Sequence, residues 1–193
     1  TFRKGLQSAA SPLMITISLI GAVLFFNSFA TNYGFVPILA VRLGSNKTQL
    51  GHLVALNLAA YSLSSLFVGT KLLNLVSERF VVIKGFLIIA ITSLTLPLVS
   101  SLSVLYLNQI IHGLGKGFAY SILMGLVFRL VSSDERATAM GIFQSIYSLG
   151  IFTGPLLGGW VGSHWGLGGI FIISGVSALL VVPPLWRVKI SKD

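Results

Sequence analysis

The sequence has no cysteine and only four acidic residues, and each shortage excludes a class of function. Without cysteine there is no disulfide framework, no thiolate metal site and no cysteine nucleophile. Charged residues make up 9% of the chain, against about a quarter in soluble domains. His52, His112 and His164 fall in three separate segments, none with metal-ligand spacing, so neither a metal nor a cofactor is expected. No cluster of His, Asp and Glu and no Ser–His pair on facing turns offers enzyme chemistry. The chain also lacks an initiator methionine and a short signal-peptide pattern. Thr1 to Ser11 read as the tail of a loop, so the chain is expected to be part of something longer.

What the sequence does have is apolar length. Hydrophobic residues are 54% of the chain, glycine occurs 21 times, and the mean hydropathy is +0.93. The net charge of +9 would suit nucleic acid if the basic residues gathered on one face. They sit instead between apolar runs, so the expected surroundings are a lipid bilayer, with no nucleic-acid partner. A bilayer core about 30 Å thick needs roughly 20 apolar residues per helix. Six stretches meet that length, near 12–34, 50–70, 82–100, 103–130, 137–161 and 167–186. They lack the strict alternation of barrel strands. The expected fold is therefore an all-α membrane protein, with residues 1–193 forming a single bundle of six transmembrane helices.

Helix starts carry capping residues: Ser11 before Pro12, Asn46 and Thr48 before the second span, and Ser133-Asp134-Glu135 before the fifth. Orientation follows from loop charge, because short cytoplasmic loops hold the excess of Lys and Arg. One side has Arg3, Lys4, Lys71, Arg79, Lys84, Arg129, Arg136, Arg187, Lys189 and Lys192, and the other only Arg42 and Lys47. Both termini are thus expected in the cytoplasm, with the protein in a bacterial inner membrane. Tyr106, Trp160, Trp165 and Trp186 fall near the interfaces where aromatic belts form.

The spans are unequal in polarity. The third and sixth hold only apolar, Ser, Thr, Gly and Pro residues in their interiors, which suits lipid-facing positions. In the fourth, Gln109, His112, Lys116 and Tyr120 lie within an arc of about 80° at 100° per residue. Lys116 is near the bilayer centre, where an ammonium costs several kcal/mol unless it meets water or a partner. All four acids lie in loops or the tail, so no carboxylate within these spans neutralises it. Lys116 therefore either faces a cavity, an anionic group or an acid from another segment, or is a packing residue that snorkels. Weaker polar faces are Asn27, Thr31 and Gly34 on the first span and Asn57, Tyr61 and Ser64 on the second. For the second span, simple helix–helix hydrogen bonding accounts for the pattern. Polar faces on spans one and four, three apart, fit two related three-helix repeats.

The fifth span contains Gly150-x-x-x-Gly154-Pro155-x-x-Gly158-Gly159. Glycines four apart share a face and admit a close backbone neighbour, and Pro155 permits a bend. The full spacing resembles the glycine motif of antiporters of the major facilitator superfamily. Further stretches resemble that family in order. Asn74-Leu75-Val76-Ser77-Glu78-Arg79-Phe80 is similar to its Gly-x-x-x-Asp-Arg-x-Gly loop, with both glycines lost. Gln109-x-x-His112-Gly113-Leu114-Gly115 is similar to its Arg-x-x-Gln-Gly-x-Gly segment, with the arginine replaced. Arg136-Ala137-Thr138-Ala139-Met140-Gly141 leading to Gln144 resembles the segment that opens the fifth or eleventh helix.

The resemblance implies half of a twelve-helix fold. The degraded loop, the lost arginine and the Tyr33-Gly34-Phe35-Val36-Pro37 sequence suit the C-terminal half, whereas the glycine motif belongs typically to the N-terminal half. It further implies a secondary active transporter working by alternating access, for efflux or exchange of a small solute. Its partners would be the other six-helix half, a small-molecule substrate and, for a coupled carrier, a proton, for which this half offers only His112 and Lys116 within the bilayer. Asn27, Thr31, Gln109, His112, Lys116 and Tyr120 would line the cavity. Gly150, Gly154, Pro155, Gly158 and Gly159 would pack or gate against the other half. Glu78, Arg79, Asp134, Glu135 and Arg136 would form a cytoplasmic latch. A non-transporting sensor or assembly module, and a membrane-embedded enzyme, are the rival readings. Substrate, direction and oligomeric state are not legible, although a central cation favours an anionic or zwitterionic solute.

Overall fold

The computed structural model describes residues 11–70, 72 and 75–187, apart from the side chain of Arg187, and every described element is helical. Arg3, Lys4, Lys71, Asn74, Lys189, Lys192 and Asp193, which entered the reading above, lie outside the described residues. Helix α1 spans Pro12–Arg42, α2 Lys47–Thr70, α3 Glu78–Thr95, α4 Leu102–Arg129, α5 Arg136–Leu180 and α6 Val182–Arg187. Five stretches are long and apolar enough to cross a membrane: α1, α2, α3 with its 3₁₀ turn Leu96–Leu98, α4, and the run Ser133–Trp186. The chain is an integral membrane protein.

Local signals set most starts. Ser11 caps α1 by accepting from the Met14 N–H, with Pro12 in the first turn where its missing N–H costs nothing. Asn46 and Gln49 exchange side-chain and backbone hydrogen bonds at 2.9 Å, closing a capping box that starts α2 at Lys47. Ser101 caps α4, and Ser132 pairs with Glu135 just before α5.

One element ends elsewhere than the sequence reading placed it. The first span does not end at residue 34 but continues to Arg42 through a π turn, Thr31–Phe35, with the Val36 N–H bonded to Thr31 O. Pro37 falls in the first turn of the α-helical continuation Val36–Arg42, where its missing N–H is tolerated. Within α5 the fifth and sixth spans are two helices that meet at a kink; a straight helix of its 45 residues would measure about 68 Å. Gly166 has φ 68° and ψ −174°, a conformation only glycine adopts freely, and there the chain folds back. Gly154 lies against Phe26 and Ala30 of α1, and Ser174 accepts from Asn27 of α1. In a straight helix Gly154 and Ser174 would stand about 30 Å apart.

The apolar core lies in two larger clusters with a polar layer between them, and a small third cluster of Ala30, Val161 and Ile170. One holds Met14, Ile17 and Leu24 of α1 with Phe86 and Ile89 of α3, Leu123 and Val127 of α4 and Phe143 of α5. The other holds Val36, Ala40, Leu53, Leu96, Leu105 and Phe171. Between them in sequence, on α1, α3, α4 and the α5 arm after Gly166, come buried Asn27, Thr31, Asn32, Ser93, Asn108, Gln109, His112, Lys116 and Ser174. The third span is not chiefly lipid-facing as its composition suggested. In its most apolar stretch 56% of residues are buried, as in α4, against 28% in α2. Serine and threonine let α3 pass for apolar while its Thr92 and Ser93 serve the polar layer.

Candidate functional site

Helix α4 is the centre of the polar layer because small residues let its neighbours approach. A Cβ at Gly113 would stand 2.4 Å from Asn57 O, and one at Gly117 2.6 Å from Tyr61 O. This contact brings the backbone of α2 against α4. Asn57 then donates to Gln109 O at 2.8 Å, an interhelical bond of the kind expected for this helix. On the other side Gly115 and Gly85 admit α3, and Asn108 donates to Thr92 O at 2.9 Å.

Asn27 is the node of the layer. It is 1% exposed and its amide donates to Ser174 O at 2.7 Å. Its Oδ1 lies 3.2 Å from Ser93 Oγ and 3.3 Å from His112 Nε2, so one side chain ties α1 to α3, α4 and the arm after Gly166. His112 is fully buried, and Asn32 Nδ2 donates to its Nδ1 at 3.0 Å. With Nδ1 accepting, Nε2 carries the proton and donates to Asn27, so both ring nitrogens are engaged. Residues five apart on an α-helix point about 140° from each other, and Asn27 and Asn32, the second in the π turn, each take one nitrogen of the same imidazole. Thr31 Oγ1 lies 2.6 Å from Asn27 O and 3.1 Å from Asn32 Oδ1.

Lys116, one turn further along α4, meets no carboxylate among the described residues. Its Nζ stands 5.0 Å from the ring centre of Tyr33, 5.3 Å from Tyr61 and 5.8 Å from Phe25. Tyr120, the last member of the stripe, packs edge-on to Phe25 at 5.7 Å and lies 6.2 Å from Tyr61. Tyr147 of α5 stacks on Phe25 at 4.1 Å. Gln109 stands apart from these rings. It donates to Asn108 Oδ1 and lines a pocket of about 10 Å³ with Asn32, Tyr33 and Asn57, room for about one water.

The glycine motif divides between two directions. Gly150, Gly154 and Gly158 face α1, where a Cβ would meet Ala22 O at 2.0 Å, Phe26 O at 2.9 Å and the Phe35 ring at 2.6 Å respectively. Pro155 and Gly159 are exposed, and a Cβ at Gly159 would meet nothing within 4 Å. At the basic end, the Arg129 guanidinium grips both carboxylate oxygens of Glu78 in a two-pronged ion pair, joining the end of α4 to the start of α3. Glu135 accepts from Ser132, Asp134 from Ser133, and Arg136 lies over the Phe128 ring at 6.0 Å.

Sequence reasoning had assembled Asn27, Thr31, His112, Lys116 and Tyr120. It missed Asn32 and Tyr33, which lie in the π turn, and Ser93 and Ser174, which belong to spans that look apolar. It also missed Phe25, an ordinary membrane residue by composition, and Arg129 as the partner of Glu78. In α4 the signal was present, because Asn108 and Gln109 are adjacent amides.

The described chain is thus a helical membrane protein with a buried polar layer at mid-span and an ammonium that meets no carboxylate among the described residues. The chain belongs to the Major Facilitator Superfamily, whose family model matches residues 17–192. It is 28% identical over 138 residues to the riboflavin transporter RibZ of Clostridioides difficile strain 630, covering 72% of this chain and 30% of that protein. It is 27% identical over 148 residues to the quinolone resistance protein NorA of Staphylococcus aureus strain Mu50, covering 72% of this chain and 37% of that protein. The matched region thus spans about a third of the length of these relatives, one named as a riboflavin transporter and the other as a quinolone resistance protein.

Proposed function

We propose that this chain is one six-helix half, two three-helix repeats, of a secondary active transporter that works by alternating access and moves a small solute by efflux or exchange. The fold-back at Gly166 supports counting α5 as two crossings, which returns both termini to the side rich in Lys and Arg, the cytoplasmic side of a bacterial inner membrane. The observation that carries the reading is the aromatic-walled ammonium of Lys116 at mid-span. A charge in that position is retained at a cost of several kcal/mol where it serves a pathway. The degraded loop motif, in which Glu78 pairs with Arg129, favours the C-terminal half.

The residues divide by task. Lys116, Tyr120 and the neighbouring rings face the solute. Asn27, Thr31 and His112 hold the wall, and Gln109 lies at its edge. Gly150, Gly154 and Gly158 fix α5 to α1, while Pro155 and Gly159 present the strip that meets the other half. Glu78 and Arg129, with Arg79, Asp134, Glu135 and Arg136 around them, form the latch that opens as the halves rock. If a proton is the coupling ion, His112 is a poor carrier, since both its nitrogens are already committed. An acid of the other half, or Lys116, then carries it.

The test is counterflow by the intact protein in proteoliposomes, with riboflavin and a quinolone, the solutes named for its relatives, as first probes. Internal solute should accelerate uptake of labelled external solute. Saturable binding with no flux of any bound probe would convert the reading to a sensor or assembly module.

A further inference from the structure

The polar layer leaves one charge unanswered. Lys116 is the fifteenth of the 28 residues of α4 and is 5% exposed. Among the described residues it makes neither an ion pair nor a hydrogen bond, although His112, one turn away, is satisfied at both nitrogens. Its surroundings are rings from two other helices, Phe25 and Tyr33 of α1 and Tyr61 of α2. Ring faces attract an ammonium but do not neutralise it.

Those rings are not fully buried. Tyr33 is 37% exposed, and Phe25, Tyr61, Tyr120 and Tyr147 are half-buried, so rings from four helices form a partly exposed aromatic wall. Such a wall takes a flat ring. A phospholipid headgroup is not the occupant, because headgroups lie about 15 Å from the midplane. An organic cation would have to sit beside Lys116 in a low dielectric, where like charges repel strongly.

Resting on the transporter reading above, we propose that Lys116, Phe25, Tyr33 and Tyr61 form a selectivity site for a planar aromatic substrate carrying a negative charge. The carboxylate or equivalent anion pairs with Lys116 Nζ, and the ring stacks on the tyrosines. In the empty site Lys116 itself fills the cage, so the protein rejects organic cations of the same shape.

Three probes on the intact protein in lipid nanodiscs test this by equilibrium binding: 1-naphthoate, the isosteric cation 1-naphthylmethylammonium, and cyclohexanecarboxylate. The native protein should bind naphthoate at least about tenfold more tightly than the cation, the discrimination expected of one charge-assisted contact, and more tightly than cyclohexanecarboxylate, which keeps the anion but lacks the ring that stacks. Lys116→Gln should lose that preference and gain affinity for the cation, and Lys116→Arg should keep it. Tyr61→Leu should abolish the advantage of naphthoate over cyclohexanecarboxylate. A native protein that binds the cation as well as the anion, binds no naphthoate, or keeps its charge preference as Lys116→Gln overturns the proposal. The native comparison alone decides it should a variant fail to fold. Anion-selective binding without counterflow would refute transport and leave the site standing. Counterflow of riboflavin or a quinolone without charge discrimination would do the reverse.

Discussion

Adding one methyl group at Gly150 should unfold this bundle far more readily than adding the same group at Gly159, nine residues along the same helix. An ideal Cβ at Gly150 lies 2.0 Å from Ala22 O, 2.8 Å from Phe26 N and 2.9 Å from Ala22 C. All three are backbone atoms, so no side chain can rotate away. An ordinary carbon–oxygen approach is about 3.3 Å, which requires α1 and α5 to part by about 1.3 Å. That displacement loosens the contacts of Gly154 with Phe26 and Ala30 and strains the Asn27 bond to Ser174. Overpacking of this kind costs about 1–3 kcal/mol or more. Alanine returns up to about 1 kcal/mol in helix propensity; with an immovable backbone clash placing the cost at about 3 kcal/mol, the upper end of that range, Gly150→Ala loses about 2 kcal/mol net, or about thirtyfold in the folded-to-unfolded ratio. Gly159→Ala meets nothing within 4 Å and keeps the propensity gain, so it should be neutral or slightly stabilising. Reversible unfolding by sodium dodecyl sulfate in mixed micelles, followed by helical circular dichroism, reads both variants. Equal midpoints for the two would refute the assignment of Gly150 to the α1 contact.

The polar layer makes a second contrast. Asn27→Leu strips partners from Ser174 O, Ser93 Oγ and His112 Nε2 and should cost about 2–4 kcal/mol in the same assay. Asn57→Leu removes one interhelical bond and should cost about 1 kcal/mol; a larger loss for Asn57→Leu would displace Asn27 as the node. At the cytoplasmic latch the Arg129 side chain is 49% exposed, so a Glu78→Ala, Arg129→Ala double-mutant cycle should show a coupling of only about 0.5–1 kcal/mol in stability. Transport in Glu78→Ala and Arg79→Ala should nevertheless fall while binding survives. Full transport rates in both would discard the latch.

The starts of α1 and α2 were legible because capping is local. Ser11 and Asn46 satisfy orphan N–H groups within three residues of themselves, whereas Ser101, which caps α4, and Ser132, which caps the turn before α5, were not singled out. The stripe from His112 to Tyr120 was legible for a similar reason, since 3.6-residue periodicity is a property of one helix. The extension of α1 was not. Gly34 and Pro37 read as an ending, yet the π turn absorbs the proline and carries the helix on to Arg42. The lipid-facing reading of the third span failed because Ser93 and Thr92 are nearly as compatible with lipid as with a polar layer, and only their partners distinguish the two.

By itself the sequence determined that this chain lives in a bilayer, where its helices begin, which end is basic and that one ammonium lies deep without an acid on its own spans. These follow from composition, length and spacing, quantities that add along the chain. Only the tertiary structure decided that Asn27 and Asn32 clamp His112, that Gly150 packs on Ala22 within the same bundle, that α5 turns back at Gly166, and that Lys116 lies among Phe25, Tyr33 and Tyr61. Each is a meeting of residues distant in sequence or a departure from ideal helix geometry. A 3.6-residue period carries no information about which neighbour a face will find.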